Sequence, residues 1–582
     1  MPVSRNWSFR TADPDLEKRL AEELKLSPLA ASVLARRGVD SPVAGRAFLD
    51  ASLKELTPAT DLAGTDNAVL RLNRAIAERE PILVFGDSDV DGLTGASLLA
   101  RMLAALGADV AVHVAERTVD GYGLSAAGEA AVLARAPRVL VTVDHGVTAH
   151  AAIGRLQQAG IDVIVTDHHQ KPEQLPPGLA VLNPLFLPAT HPAARLSGAG
   201  VAFKLACALF ETLPGPKKQD PRLRLILREG LGFAALGTVA DVVSLTGENR
   251  LLVRHGLKQL AQTGIAGLKA LRKFARLDDK ELDAEDVSFG FAPRINAAGR
   301  MAKVDLARRL LLTDVDAEAM QLAADLDRLN QERRAIEARV HQRALRLLAE
   351  AQELHGDAPV VVLADRAFHA GVIGIVAARL MTQTGKPCVL VATDGAVARG
   401  SGRSVPGLDL AAALHEVRGH LRSCGGHAAA AGLEMEADRF EAFAGDLRRV
   451  ARERMRPQPP PTLVVDVEAM LHQITWPLVQ ELRRLGPFGQ DNPQPLFAAS
   501  HVELAAAPRR VGQDGAHLQL KVKNGATVVS GIGFGQGARA EEISGRRLAL
   551  AFTPRVSSFP GSGGFDLQIA DFKVENAAAA SG

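Results

Sequence analysis

The chain has 582 residues, too many for a single hydrophobic core, and its length predicts three or four domains. With 47% hydrophobic and 23% charged residues and a net charge of +2, its composition is that of an ordinary soluble globular protein, which excludes bulk disorder. The charge neither demands nor excludes a nucleic-acid partner, because binding depends on where Lys and Arg sit. The three cysteines, Cys207, Cys388 and Cys424, form no CxxC pair and imply neither a disulfide framework nor a zinc site. No apolar stretch approaches the about 20 residues of a membrane span, and the opening MPVSRNWSFRTADPDLEKRL has no apolar leader core, so a cytoplasmic location is expected.

Residues 1–55 read as an N-terminal helical lead-in. From residue 80 strands alternate with helices: PILVF, the helix TGASLLARMLAALG, DVAVHV, a Gly-rich turn, RVLVTV, a helix around AAIGRLQQAG, IDVIV and AVLNP. Such unalternating runs of Val, Ile, Leu and Phe predict strands buried on both faces, as in a parallel sheet covered by helices. This first α/β domain is assigned to 56–313 and carries two later loops, GTVADVVSLTGENR at 237–250 and FAPRINAAGR at 291–300. Residues 314–355 predict a long amphipathic connector helix, unbroken by Pro or Gly until Gly356. A second α/β domain, 356–455, runs from the strand APVVVLAD through GVIGIVAARL and KPCVLVA to a turn, ARGSGRS, at 398–404. The Pro-rich run RPQPPPT marks a linker. Short alternating runs over 463–575 then predict a small antiparallel barrel, with Phe488, Phe534 and Phe552 in its core.

Three of the early strands end in acids: Asp87, Asp144 and Asp167, the last followed by His168 and His169. Parallel sheets bind ligands at their carboxyl ends, so Asp87, Asp144 and His168 should converge, joined by Asp89 and Asp91 of GDSDVDG. Carboxylates crowded in one cleft repel and shift one another's protonation unless cations lie between them, which points to a pair of divalent metals. A dinucleotide loop would have glycines where Asp87, Asp89 and Asp91 stand, and bare carboxylates repel a pyrophosphate. Many carboxylates with few imidazoles suit Mn2+ or Mg2+ better than zinc. Adjacent side chains diverge, so one histidine should coordinate while its neighbour serves the substrate or supports the ligands. Asp241, in the apolar ALGTVADVVSL, is an acid in need of a partner and completes the set. On spacing alone, the Gly-rich stretches carrying Arg399, Ser401, Arg403, Ser404 and His427 read equally as phosphate cradles or as tight turns. Arg294, Asn296 and Arg300 stand equally open.

GDSDVDG, TVDHG at 142–146, TDHH at 166–169 and GTVAD at 237–241 resemble the four motifs of the DHH phosphoesterase family. DGYGLS, LSGAGVAFKL, DVVSLTGENR, PRINAAGR, HAGVIGIVAARL, GSGRSVPGLDL and GGHAAAAG narrow the resemblance to the family's bacterial single-strand-specific 5′ to 3′ DNA exonucleases, over nearly the whole chain. Ser88, Gly95, His145 and Phe368 depart from the usual pattern without removing a ligand that carries over. The resemblance implies a parallel-sheet DHH domain and a DHHA1 α/β domain joined by a long helix, plus a C-terminal OB-fold-like barrel. It implies two divalent cations, Mn2+ or Mg2+, bridged by Asp144, with Asp87 and Asp89 on one side and Asp91, His168 and Asp241 on the other. Which of Asp87 and Asp89 ligates directly stays open. His169 would contact the scissile phosphate, and Arg117, Tyr122, Arg294, Asn296, Arg300, Arg399, Ser401, Arg403, Ser404 and His427 the substrate. The implied activity is release of 5′-mononucleotides from single-stranded DNA in recombination and repair, by a monomer working with a single-strand-binding protein and a RecQ-type helicase. Two rivals are a DHH-type phosphodiesterase of short oligonucleotides or small molecules, and a non-catalytic DNA-binding scaffold, against which the intact acids argue.

Overall fold

Five parallel strands form the first sheet, in the spatial order Val110–Val114, Ile82–Gly86, Val139–Val143, Asp162–Thr166, Ala180–Leu182. Every residue of Ile82–Gly86 and Val139–Val143 is buried, as the unalternating apolar runs require of central strands covered on both faces. These two neighbours flank the point where the strand order reverses, the place where a crevice opens at the carboxyl edge of such a sheet. The computed structural model describes residues 5–116, 121, 123–393, 395–457, 461–557 and 564–575, so Arg117 and Tyr122 lie outside the described residues. Among the described residues no helix is long and apolar enough to cross a membrane.

The segment 237–250 is not one loop. Gly237–Ala240 closes the helix Pro221–Ala240, and a second helix starts at Gly247. PRINAAGR is likewise helical, within Ala292–Arg300, after a π-helical turn over Val287–Phe291. Its Pro293 follows directly on that π-helical turn, in a helical run that is continuous from Ala284. The connector is a 40-residue helix, Asp316–His355.

The second sheet is mixed, in the order Ser423–His427, Ala430–Glu436, Val397–Arg403, Cys388–Ala392, Val361–Asp365. Only its last pair is parallel. ARGSGRS, expected as a turn, is the strand Val397–Arg403, and GGH ends the strand Ser423–His427. The glycines serve packing. A Cβ at Gly400 would lie 2.7 Å from Leu433 Cδ1 and one at Gly402 2.6 Å from Leu410 Cδ2, both too close. Arg399, Ser401 and Arg403 alternate with these buried positions and share the opposite face.

By compactness the chain divides into two units, Ala59–Asp241 with Gly256–Pro459, and Met1–Pro58 with Val242–His255 and Pro460–Gly582. In the latter, Phe497–Leu504, Leu548–Val556, Phe565–Val574, Thr527–Gly533 and His517–Asn524 close into a five-stranded barrel through the pairing of its first and last members. The N-terminal helices pack into that unit's core: Leu20, Leu26, Val33 and Leu34 lie in one buried cluster with Leu482, Leu485, Phe497 and Phe552. The strand Asn6–Phe9 pairs in parallel with Thr462–Val465. Within the same unit, buried Arg250 donates to the carbonyls of Leu485 and Phe48 and lies 3.7 Å over the Phe48 ring.

Both tryptophans, Trp7 and Trp476, fall in the barrel unit, so tryptophan fluorescence reports its unfolding alone. Leu34→Ala, which empties a site only 1% exposed, is expected to destabilise that unit by about 2–5 kcal/mol, read from the fluorescence midpoint in denaturant. An unchanged midpoint would detach the N-terminal helices from the barrel's core.

Candidate metal centre

The parallel register carries three acids to one row. The N–H of Asp87 donates to Val143 O, that of Asp144 to Thr166 O and that of Asp167 to Leu182 O, each one residue beyond its strand. Beyond this row the three side chains part company. Asp144 takes a left-handed backbone, φ 66°, a conformation aspartate tolerates better than most residues. Asp167 serves a different purpose from the one its strand-end position suggests. Its Oδ1 accepts the N–H of His168 at 2.7 Å and of His169 at 3.1 Å and meets His169 Nδ1 at 2.8 Å, while Oδ2 accepts Val147 N–H. It is the residue that orients the histidine pair, and nothing in the sequence beyond its place in TDHH signals this.

Two helix N-termini face the acids. Asp89 caps the helix Val90–Ala105, accepting the N–H groups of Asp91 and Gly92 on Oδ1. Asp91 accepts Gly198 N–H at 2.6 Å and Ala199 N–H at 3.0 Å, both in the first turn of the helix Gly198–Glu211. The positive ends of both helix dipoles thus hold negative charge in a buried place. Glycines admit the close approach: a Cβ at Gly198 would sit 2.7 Å from Asp144 Cβ, and one at Gly237 would collide with Asp91 Oδ1.

Six side chains converge as two adjoining triads. Asp87, Asp89 and Asp144 each offer an oxygen within 4.8 Å of the others', and Asp91, His168 and Asp241 do the same with two oxygens and a nitrogen. The triads adjoin where His168 Nε2 faces Asp144 Oδ1 at 3.0 Å, with Asp241 Oδ2 at 3.5 Å and Asp91 Oδ2 at 3.7 Å. His168 Nε2 and Asp144 Oδ1 are both buried, and their alignment makes no hydrogen bond. A cation between them would satisfy both.

The electrostatics agree. Burial, then the charges of Asp91 and its neighbours, pushes the Asp144 carboxyl well above the usual carboxylate range. Burial and Asp91 likewise raise Asp241 to about 8. Burial holds His168 below the ordinary imidazole value, which leaves it neutral with a lone pair to offer. Burial also opposes the charging of His169, but the hydrogen bond and charge of Asp167 outweigh it and raise His169 to about 9. For Asp167, burial is outweighed by His169 and by backbone N–H groups, which bring it to about 2. The set therefore needs positive charge in its midst, and its oxygen-rich donors with one imidazole fit Mn2+ or Mg2+.

The residues expected at the substrate divide. Arg403 is half-buried, donates to Ser401 Oγ at 3.2 Å, and lies with Ser401 against Gly374 in the first turn of the helix Ile373–Thr384. A guanidinium, a hydroxyl and a helix N-terminus in one place suit phosphate. His427 is exposed, and Arg399 is held by Glu434 at 3.0 Å. Ser404 is buried with its hydroxyl donated to Leu408 O. Arg294 spends its donors on Asp327, Gly290 O and Phe274 O, a structural engagement. Half-buried Asn296 lies one turn before Arg300 on the same helix. Arg300 donates to Gly371 O at 3.2 Å, and a Cβ at neighbouring Gly299 would lie 2.8 Å from Ser88 O, so this helix end joins the acidic loop to the HAGVIG segment.

Three family models match the chain: the DHH family N-terminal domain over residues 81–238, the DHHA1 domain over 357–453 and the RecJ OB domain over 465–571. The single-stranded-DNA-specific exonuclease RecJ of Escherichia coli K12 is 35% identical over 92% of this chain and 94% of its own length. The protein of the same name from Bacillus subtilis 168 is 33% identical over 94% of this chain and 68% of its own length. A crystal structure of RecJ from Thermus thermophilus in complex with Mn2+ superposes with a TM-score of 0.82 at 32% identity, covering 98% of this chain and 80% of that one. With the two triads at the strand ends and these likenesses running almost from end to end, the chain belongs to the RecJ family of DHH phosphoesterases.

Proposed function

We propose that the protein is a single-stranded-DNA-specific exonuclease that works from the 5′ end and releases 5′-mononucleotides by two-metal hydrolysis, in DNA recombination and repair. The observation that carries this reading is the adjoining pair of triads meeting at Asp144 and His168, spaced for two cations side by side. The names of the relatives, exonucleases specific for single-stranded DNA, supply the substrate class. Structures of the Thermus thermophilus protein with Mn2+ and with Mg2+ support the choice of metals.

When bound, the two cations would neutralise charge on the phosphate and activate water for in-line attack. Asp144 would hold both, with Asp87 and Asp89 on one side and Asp91, His168 and Asp241 on the other. His169, kept protonated by Asp167, would donate a hydrogen bond to a phosphate oxygen. Arg403, Ser401 and the first turn of Ile373–Thr384 would grip a phosphate from the second α/β domain, with His427 beside them. Arg300 would keep that domain in register with the acidic loop. The domains read from the sequence, 56–313 for chemistry, 356–455 for substrate and 463–575 for strand capture, carry this division of labour. A cytoplasmic monomer that takes its strand from a helicase of the RecQ type and a single-strand-binding protein suits such an activity.

Digestion of end-labelled single- and double-stranded DNA tests the reading. Mononucleotides should appear first from the 5′ end of the single strand, and cleavage of short oligonucleotides alone would favour the small-substrate rival. Asp144→Asn removes a repelling buried charge, so the metal-free variant is expected to melt above the unsubstituted chain while losing both cleavage and the rise in Tm on adding Mn2+. For the unsubstituted chain that rise corresponds to about 2.7 kcal/mol at Mn2+ a hundredfold above Kd. Retained turnover in the variant would remove Asp144 from the metal set. Arg403→Ala is expected to raise KM about tenfold or more with calorimetric Mn2+ affinity unchanged, because it deletes a charge-assisted contact to phosphate and no ligand.

A further inference from the structure

The turn that follows the strand Val139–Val143 is tied on both sides. Toward the strand Asp162–Thr166, Asp144 N–H donates to Thr166 O and Val147 N–H to Asp167 Oδ2. Toward the strand Ile82–Gly86 the tie is a side chain: His145 Nε2 lies 2.9 Å from Phe85 O. A carbonyl only accepts, so this nitrogen carries the ring proton and donates it. The turn is sharp, with φ 66° at Asp144 and 114° at Gly146. Glycine adopts such values freely, but a left-handed aspartate persists only where surrounding contacts over-determine it.

His145 is built into the fold. It is 1% exposed, its ring meets that of buried Phe85 edge-on, 4.7 Å between centroids at 72°, and a Cβ at Gly123 would lie 3.0 Å from Nδ1. Burial holds the ring below the ordinary imidazole value and so keeps it neutral. Its single proton goes to Phe85 O, and Nδ1 is left without a partner among the described residues. Neither nitrogen joins a triad of metal donors. An apolar side chain would fill this place without burying a bare nitrogen, so what the ring adds is the bond to Phe85 O.

That bond spans the two strand ends whose acids share a triad. Phe85 stands two residues before Asp87, and His145 directly follows Asp144. Asp87 N–H donates to Val143 O, so the strand ends are clamped by a backbone bond from the Asp87 side and a side-chain bond from the Asp144 side. The oxygens of Asp87, Asp89 and Asp144 lie within 4.8 Å of one another, and as carboxylates they push apart when no cation lies between them. The two bonds oppose that opening.

We propose that His145 is a positioning residue for the two-metal centre, a neutral strut that holds Asp144 against the Asp87 loop so that the triad keeps its spacing before a cation arrives. The inference rests on the reading of the adjoining triads as a metal pair and adds to it a residue outside them. Loss of a group that supports metal ligands in this way changes metal affinity by about ten- to a hundredfold.

Calorimetric titration of the metal-free full chain with Mn2+ at one pH tests it, on two variants that differ in reach. The amide nitrogen of His145→Gln stands as many bonds from Cα as Nε2 does, whereas that of His145→Asn falls one methylene short of Phe85 O. His145→Asn is expected to weaken at least one of the two Mn2+ sites about tenfold or more and to lower kcat on single-stranded DNA with KM unchanged, and His145→Gln to restore both. His145→Ser, equally without reach, takes the place of His145→Asn if the latter melts below the assay temperature. Lost stability alone does not have this effect: Ile153→Ala, which empties a fully buried place in the cluster around Phe85, should lower the metal-free Tm and leave Mn2+ affinity unchanged. Undiminished Mn2+ binding by His145→Asn, an equal loss in His145→Gln, or an equal loss in Ile153→Ala overturns the strut. If the unsubstituted chain binds two Mn2+ when that happens, only this inference falls. If the unsubstituted chain binds fewer than two, the two-metal reading falls and takes this with it.

Discussion

Mutual repulsion among buried carboxylates is the constraint that organises the catalytic part of this protein. Asp87, Asp91 and Asp144 are each no more than 2% exposed, and Asp89 and Asp241 stand close by. In a medium of low dielectric such a group cannot ionise together without compensation. The fold supplies part of it through the N–H groups at two helix ends and a neutral imidazole. The remainder comes from protons retained on Asp144 and Asp241 in the metal-free site, or from cations that displace them, so metal binding and proton release are coupled here.

The same constraint explains choices that look arbitrary in the sequence. Gly198 and Gly237 carry no side chain because carboxylate atoms occupy the space one would fill. Asp144 accepts a left-handed backbone at the end of its strand. Asp167, buried as deeply as its neighbours, escapes the repulsion by accepting three hydrogen bonds around His169 and the histidine backbone and a fourth from Val147. Four acids at similar depth thus have different fates, decided by which N–H groups each can reach.

The parallel sheet and its acids are legible because burial on both faces leaves an unmistakable run of Val, Ile and Leu, and because the residue after each run is polar without local need. PRINAAGR and ARGSGRS read as loop and turn because glycine and proline normally punctuate structure. In the fold, Pro293 follows a π-helical turn inside a continuous helix, while Gly400 and Gly402 make room for Leu433 and Leu410. The second reason lies in tertiary contacts that no local pattern displays. Residue type alone assigns Phe534 to the core, and its exposure follows from Gly531 and Gly533 occupying the inward positions, an alternation visible in GIGFG only once the register is known. The N-terminal helices have an amphipathic pattern with no indication of their partner, because the apolar surface they cover is about 450 residues further along the chain.

That distance has a consequence for how such a protein can be rebuilt. The backbone passes between the two compact units at residues 58–59, 241–242, 255–256 and 459–460. A barrel attached by one tail could be traded between enzymes as a cassette, with a single recombination joint. Here an exchange that preserves the barrel's core must bring the first 58 residues and the insert 242–255 along with the C-terminal part, and one of the joints falls directly after Asp241. An exchange of the whole barrel unit therefore needs four joints in the backbone where a barrel carried on a tail needs one.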